Sequence, residues 1–329
     1  MQDKTRPSPE DATGREAVVS AGCTRNTVWS ARRRRASVSV LSAVLSLSSS
    51  SLFLIKSLGY VSVLNASEGT DTYSAESLEL ELAVFADETM LNKFEANHGS
   101  LARTIMELYV LSALSNVQIV YNQPAMDPQI KFRLVRFDIT SQIMTFGDQN
   151  YADAHQYLAA FCNFQANHHQ KQWDDALLIT GRDIFTNDRA GSAPIGITPL
   201  RQMCSAAHSY SLVEGGSEGS FTIAHELGHN LGMVHDETAG CLGQQMVAAL
   251  GGGAVYGNGA SQCWSTCSIK SYNAFIKYLD DDKANCLRVS TGTHERELVI
   301  SNKEPGTMHS ANTQCEMHFG SGYEEIIYF

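Results

Sequence analysis

The chain has 329 residues, 43% hydrophobic and 18% charged, enough for one medium-sized domain with a core of its own plus appendages. Its 35 acidic residues outnumber 24 basic ones, for a formal charge of −11. That balance argues against a nucleic-acid partner, because phosphate binding needs a basic face; otherwise the acidity describes only a solvated surface.

Residues 1–77 differ from the rest of the chain. The first 35 are polar and end in Arg32-Arg33-Arg34-Arg35. A serine-rich apolar stretch occupies residues 38–64, interrupted at Lys56. A basic flank before an apolar run is the order of a secretory signal or signal anchor. The long polar lead and the serines fit a disordered leader or a pro-segment remnant equally well. A membrane partner is implied only if residues 38–64 act as an anchor, since no other segment is apolar enough to span a bilayer. Asn65-Ala66-Ser67 is a glycosylation sequon, useful only in a secreted chain. The arginine run is either a processing site or a plain charge run.

From Leu78 the pattern turns globular. Residues 78–85 alternate Leu and Glu before becoming apolar, which predicts a strand. Ser100 is placed to cap a helix with Leu101, Ile105, Leu108 and Leu111 on one face. Residues 130–139 alternate again, residues 151–165 have a helical pattern, residues 175–180 read as a short buried strand, and residues 194–199 contain another. Interleaved strands and helices predict an α/β domain with a mostly parallel sheet. After Cys286 the chain turns polar, and the tail is too short to bury a core of its own. The eight cysteines include no zinc-ribbon pair, and four lie between Cys241 and Cys286. In an extracellular chain they form a disulfide framework; in a cytosolic one they are buried free thiols.

Residues 225–236 read His-Glu-Leu-Gly-His-Asn-Leu-Gly-Met-Val-His-Asp. His225 and His229 project from one face of a helix, each offering a neutral imidazole nitrogen to zinc. Glu226 sits beside the first histidine, placed to take a proton from zinc-activated water. Gly232 can adopt positive φ, end the helix and reverse the chain, bringing His235 round as third ligand. Three protein ligands leave a fourth position open, as a catalytic zinc requires. A bare His-Glu-x-x-His also occurs on ordinary surface helices; the full spacing through Asp236 makes the pattern specific. Phe221 to Ala224 gives the helix a buried flank, with Ser217 or Ser220 as its cap. The other histidines are scattered and read as surface residues. The implied reaction is hydrolysis of a peptide bond with no covalent intermediate on the protein. A strand within residues 195–200 would align an extended substrate.

The motif resembles the metzincin signature, and Asp236 after the third histidine resembles the adamalysin (reprolysin) branch. Leu82-Ala-Val-Phe-Ala-Asp-Glu-Thr-Met90 is similar to the opening strand of the family called a disintegrin and metalloproteinase with thrombospondin motifs. So are Phe161-Cys-Asn-Phe-Gln165, Asp174 to Asp183, and Cys263-Trp-Ser-Thr-Cys-Ser268. Residues 305–320 resemble the start of that family's disintegrin-like module. The resemblance implies a metzincin catalytic domain over residues 78–290, with a twisted sheet, a long active-site helix and a small C-terminal subdomain. It implies a truncated disintegrin-like start at residues 300–329, and a leader or pro-segment remnant at residues 1–77. Cys23 is then a latency cysteine or a lone thiol.

The same resemblance implies a secreted endopeptidase, made as a zymogen and acting on extracellular or matrix proteins. Met246 would be the methionine turn beneath the zinc; read alone, it is an ordinary core or loop methionine. The implied disulfides are Cys204–Cys286 and Cys241–Cys267. Tyr210 stands where the family has the partner of Cys162, and Cys263 is extra, which leaves Cys162 and Cys263 as candidates to pair with each other. Calcium is implied at Glu81, Asp174 and the backbone near Cys286, although Val289 stands where the family has an acid; plain surface acids are the other reading. Two alternatives of another class are an inactive binding module and an adhesive protein acting through the tail. The intact set His225, Glu226, His229 and His235 favours the enzyme.

Overall fold

The computed structural model describes residues 22–25, 78–140, 151–167, 173–186, 196–215, 219–241, 246, 264–289, 298–300 and 310–326. The arginine run, residues 38–64, the sequon, Ser217 and Cys263 lie outside them. The described elements begin with β1 (Gly22–Arg25), β2 (Leu78–Asp87), α1 (Glu88–His98), a 3-10 turn (Gly99–Leu101) and α2 (Ala102–Tyr121). Then come β3 (Ile130–Thr140), β4 (Tyr151–Asp153), α3 (Ala154–Asn167), β5 (Asp175–Thr180), β6 (Asp183–Phe185), β7 (Gly196–Ile197) and β8 (Tyr210–Glu214). They close with α4 (Gly219–Asn230), α5 (Asp236–Ala239), α6 (Thr266–Asp281), a 3-10 turn (Cys286–Arg288), β9 (Leu298–Val299), α7 (Ala311–Phe319) and β10 (Tyr323–Ile326).

The main sheet runs β7-β8-β5-β2-β3-β9. β8, β5, β2 and β3 are parallel, and the two short outer strands are antiparallel. The fold is thus the α/β arrangement with a mostly parallel sheet. β2 is buried along its length except at Glu79, because a central parallel strand is covered on both faces. Leu80, Leu82 and Val84 face a core shared with α2 and α4. Ala83 and Phe85 face the opposite core, where the Phe85 ring meets Phe161 of α3 edge-on at 5.6 Å.

Asp87, at the end of β2, joins these layers. Its Oδ1 accepts from Met90 N–H, Thr89 Oγ1 and Gly181 N–H at 2.8, 2.7 and 3.1 Å, which caps α1. Its Oδ2 accepts from Tyr157 of α3 at 2.8 Å and Thr180 of β5 at 2.6 Å. One carboxylate therefore ties β2, α1, α3 and β5 together.

Three local expectations change. Ser100 lies inside the 3-10 turn rather than capping α2, whose N-cap Leu101 makes no side-chain cap bond and is 54% exposed. Residues 151–153 pair with β6 instead of starting the helix, because a neighbouring strand edge offers their backbone a partner. Ser220 sits within the first turn of α4, not before it. The tail joins the main body: β9 extends the sheet, Ile300 enters the core, α7 packs on α2, and β10 pairs with β1. Among the described residues, no helix is long and apolar enough to cross a membrane.

Replacing Asp87 with Ala should leave several buried donors without an acceptor and lower stability by about 3–5 kcal/mol, read by urea unfolding. A loss under about 1 kcal/mol would show that the layers do not depend on this carboxylate.

Candidate active site

α4 is held between sheet and α2 by its apolar residues Ile223, Ala224 and Leu227, all buried. Tyr121 of α2 donates its hydroxyl to the Ala224 carbonyl at 3.0 Å, next to His225. Burial comes first among the causes that hold this phenol well above its usual range. Past Asn230 the chain reverses. Gly232 has φ of 94°, and a Cβ there would lie 2.8 Å from the Phe275 Cβ, so only glycine fits the turn. The Gly232 N–H donates to His229 O and the Met233 N–H to Gly228 O, each at 2.9 Å.

The reversal brings three imidazoles to one point. The His235 Nε2 lies 3.3 Å from His225 Nε2 and 3.1 Å from His229 Nε2. Three nitrogens on a tetrahedral zinc, at about 2.0–2.1 Å from the metal, stand roughly 3.3 Å apart. The donor set and spacing therefore fit zinc. The Met233 carbonyl lies 2.8 Å from His229 Nδ1; a proton on that nitrogen leaves Nε2 with its lone pair inward. Burial pushes the His229 imidazole down to about 4; the Met233 carbonyl works against that shift and His235 adds to it. The ring is neutral, as a ligand must be, through the physiological range.

Glu226 is 6% exposed and packs on the edge strand: a Cβ on Gly196 of β7 would lie 2.6 Å from its Oε1. Burial pushes its carboxyl up to about 8; a divalent cation bound nearby would pull it back towards ionisation. Met246 is fully buried against α4, with its sulfur 3.0 Å from where a Gly228 Cβ would stand. Its carbonyl accepts the Asp236 N–H at 2.8 Å. The buried Asp236 carboxylate accepts from Ser265 and Ser268, fastening the His235 segment to the start of α6.

The model of the Reprolysin (M12B) family zinc metalloprotease matches residues 80–290. The chain belongs to this family. It is 30% identical over 262 residues to "A disintegrin and metalloproteinase with thrombospondin motifs adt-1" of Caenorhabditis elegans, covering 76% of this chain and 18% of that protein. It is 30% identical over 253 residues to "A disintegrin and metalloproteinase with thrombospondin motifs 18" of Homo sapiens, covering 75% of this chain and 20% of that one. The chain thus spans about a fifth of the length of these curated relatives.

Within this reprolysin domain, several supports of the site were not read from the sequence. Asp175, fully buried at the start of β5, accepts at Oδ1 from Asn230 Nδ2 at 2.9 Å and from Ser209 Oγ at 3.0 Å. The available signal was an acid opening an otherwise apolar strand. The end of α4 is capped from outside: Arg201 N–H donates to His229 O at 2.9 Å and Met203 N–H to Asn230 O at 3.2 Å. Arg201 and Cys204 take φ of 60° and 67°, a conformation that side chains resist and that the surrounding bonds must hold.

Disulfides join Cys204 to Cys286 and Cys241 to Cys267. The first anchors the capping segment beside α4, and the second holds the chain after α5 against α6. Cys315 is also disulfide-bonded. Cys162 is a free thiol, so it is not paired with Cys263; it donates to the Ala207 carbonyl at 3.3 Å instead. Glu81 and Asp174 clasp each other: Glu81 N–H donates to Asp174 Oδ2 at 2.9 Å, and Asp174 N–H to Glu81 O at 2.8 Å. The Cys286–Arg288 turn packs against β2, the strand that carries Glu81. Of the remaining histidines, His155 and His208 are exposed, while His98 is half-buried beside Phe94.

In zinc-free protein, the folded His229 pKa of about 4 lies below its ordinary 6.5. Between those values the unfolded chain takes the proton and the folded one does not, so stability should fall as pH drops through that window. The loss is at most about 3 kcal/mol. Denaturant unfolding from pH 7 to pH 4 should show a shallower decline in His229→Gln; identical slopes would contradict the assignment.

Proposed function

We propose that this chain is a zinc-dependent endopeptidase, with His225, His229 and His235 holding the metal and Glu226 as general base. The observation that carries the reading is the convergence of three Nε2 atoms, two of them on the helix that also carries the buried Glu226. When bound, zinc supplies Lewis acidity to water and to the scissile carbonyl. Glu226 takes the proton of the attacking water and returns it to the leaving amine. The contact of Gly196 with Glu226 sets the carboxylate directly beside β7, the edge strand of the sheet. A substrate adding to that edge in extended form is presented to the carboxylate. Met246 serves as the apolar floor of the metal site.

The chain is secreted and acts on extracellular proteins, matrix proteins among them. The disulfides support this reading, since such bonds persist in oxidising compartments. The catalytic unit spans residues 78–290, and residues 300–329 open a disintegrin-like module. Residues 1–77 act as a leader or a pro-segment remnant of a zymogen.

Glu226→Gln should keep its zinc, measured by metal analysis, while losing about 10²–10⁴ in cleavage rate. Cleavage at the wild-type rate would remove Glu226 from its role. Incubation with an extracellular proteome should yield new N-termini that disappear when zinc is chelated.

A further inference from the structure

The corner where β2, β3 and the Cys286–Arg288 turn meet is acidic, yet it carries a cation of its own. Glu79 and Glu81 lie two residues apart on β2, so both project to one face of the strand. Arg133 stands opposite Glu81 in the parallel register. Its Nη1 donates to Glu79 Oε1 and lies 3.3 Å from Glu81 Oε1. The Glu81 side chain is 1% exposed and that of Arg133 15%. A carboxylate so buried needs a counter-charge, and the guanidinium supplies it.

The resemblance to metalloproteinases implies calcium in this corner, at Glu81, Asp174 and Cys286. Calcium takes six to eight oxygens at about 2.3–2.6 Å. In each of the three groups one oxygen already has a partner. Glu81 Oε1 faces Arg133, Asp174 Oδ2 accepts the Glu81 N–H, and the Cys286 carbonyl accepts the Val289 N–H at 3.0 Å. Val289 offers no side-chain oxygen and is 46% exposed. A calcium ion added beside Glu81 would also meet the guanidinium at close range, with like charges repelling. The residues present do not fit calcium. We propose that Arg133 is the resident cation of this corner and that the chain binds no calcium at Glu81, Asp174 and Cys286.

The test uses the full zinc-loaded chain, prepared in calcium-free buffer and melted with and without millimolar calcium. Wild type should melt at one temperature in both. Arg133→Gln should melt lower without calcium and regain part of the loss when calcium is added, while Arg133→Lys keeps most of the wild-type Tm. The proposal fails if calcium raises the wild-type Tm and Glu81→Gln abolishes the rise. It fails equally if Arg133→Gln melts like wild type in calcium-free buffer. Should Arg133→Gln not fold, calorimetric titration of calcium into wild type decides. No binding, or binding that persists in Asp174→Asn, supports the proposal; a single site lost in Asp174→Asn overturns it. None of these readouts depends on peptide hydrolysis.

Discussion

The site depends on one constraint: three imidazole nitrogens must meet within about 3.3 Å with their lone pairs facing inward. A helix alone supplies two of them. The third arrives because the chain turns back at Gly232, against Phe275, where no Cβ fits. The turn also places the Met233 carbonyl on His229 Nδ1, so the bend that delivers His235 orients a ring already on the helix. Asp236 then holds the returning segment to the Met246 backbone and the start of α6.

Buried carboxylates do much of the surrounding organisation. Asp87 joins four elements, Asp175 holds Asn230 from below, and Asp236 fastens the reversal. A charge removed from water is costly unless hydrogen bonds satisfy it, so each acid admits few arrangements of its neighbours. Directional bonds of this kind complement an apolar core that fixes volume more strongly than orientation. Glu226 differs: it is buried against a glycine backbone, and burial is the only cause of its raised pKa. Its proton affinity therefore stays open to the electrostatics of whatever occupies the site.

The end of α4 shows how distant segments share one task. Its last carbonyls receive N–H groups from Arg201 and Met203, in a segment with two non-glycine residues at positive φ. The Cys204–Cys286 bridge spans 82 residues and holds that segment in place. Strain of this sort persists only where the surroundings over-determine the backbone.

The sequence by itself determined the metal-binding pattern, three of the four parallel strands and the helix–glycine–histidine order, because these are local: a 3.6-residue period, an alternation, a glycine at a reversal; β8 was not legible in it. It also made the α/β class legible, since β2, β3 and β5 each announce themselves as apolar or alternating runs. Only the tertiary structure decided what Ser100 and Tyr151 do, since cap and strand partners depend on what lies nearby in space. The same is true of the roles of Asp87 and Asp175, of the free state of Cys162, and of the guanidinium that Arg133 brings to Glu81. Apart from the cap that Asp87 makes on α1, their partners stand tens of residues away in sequence, and no periodicity encodes a contact made across a sheet.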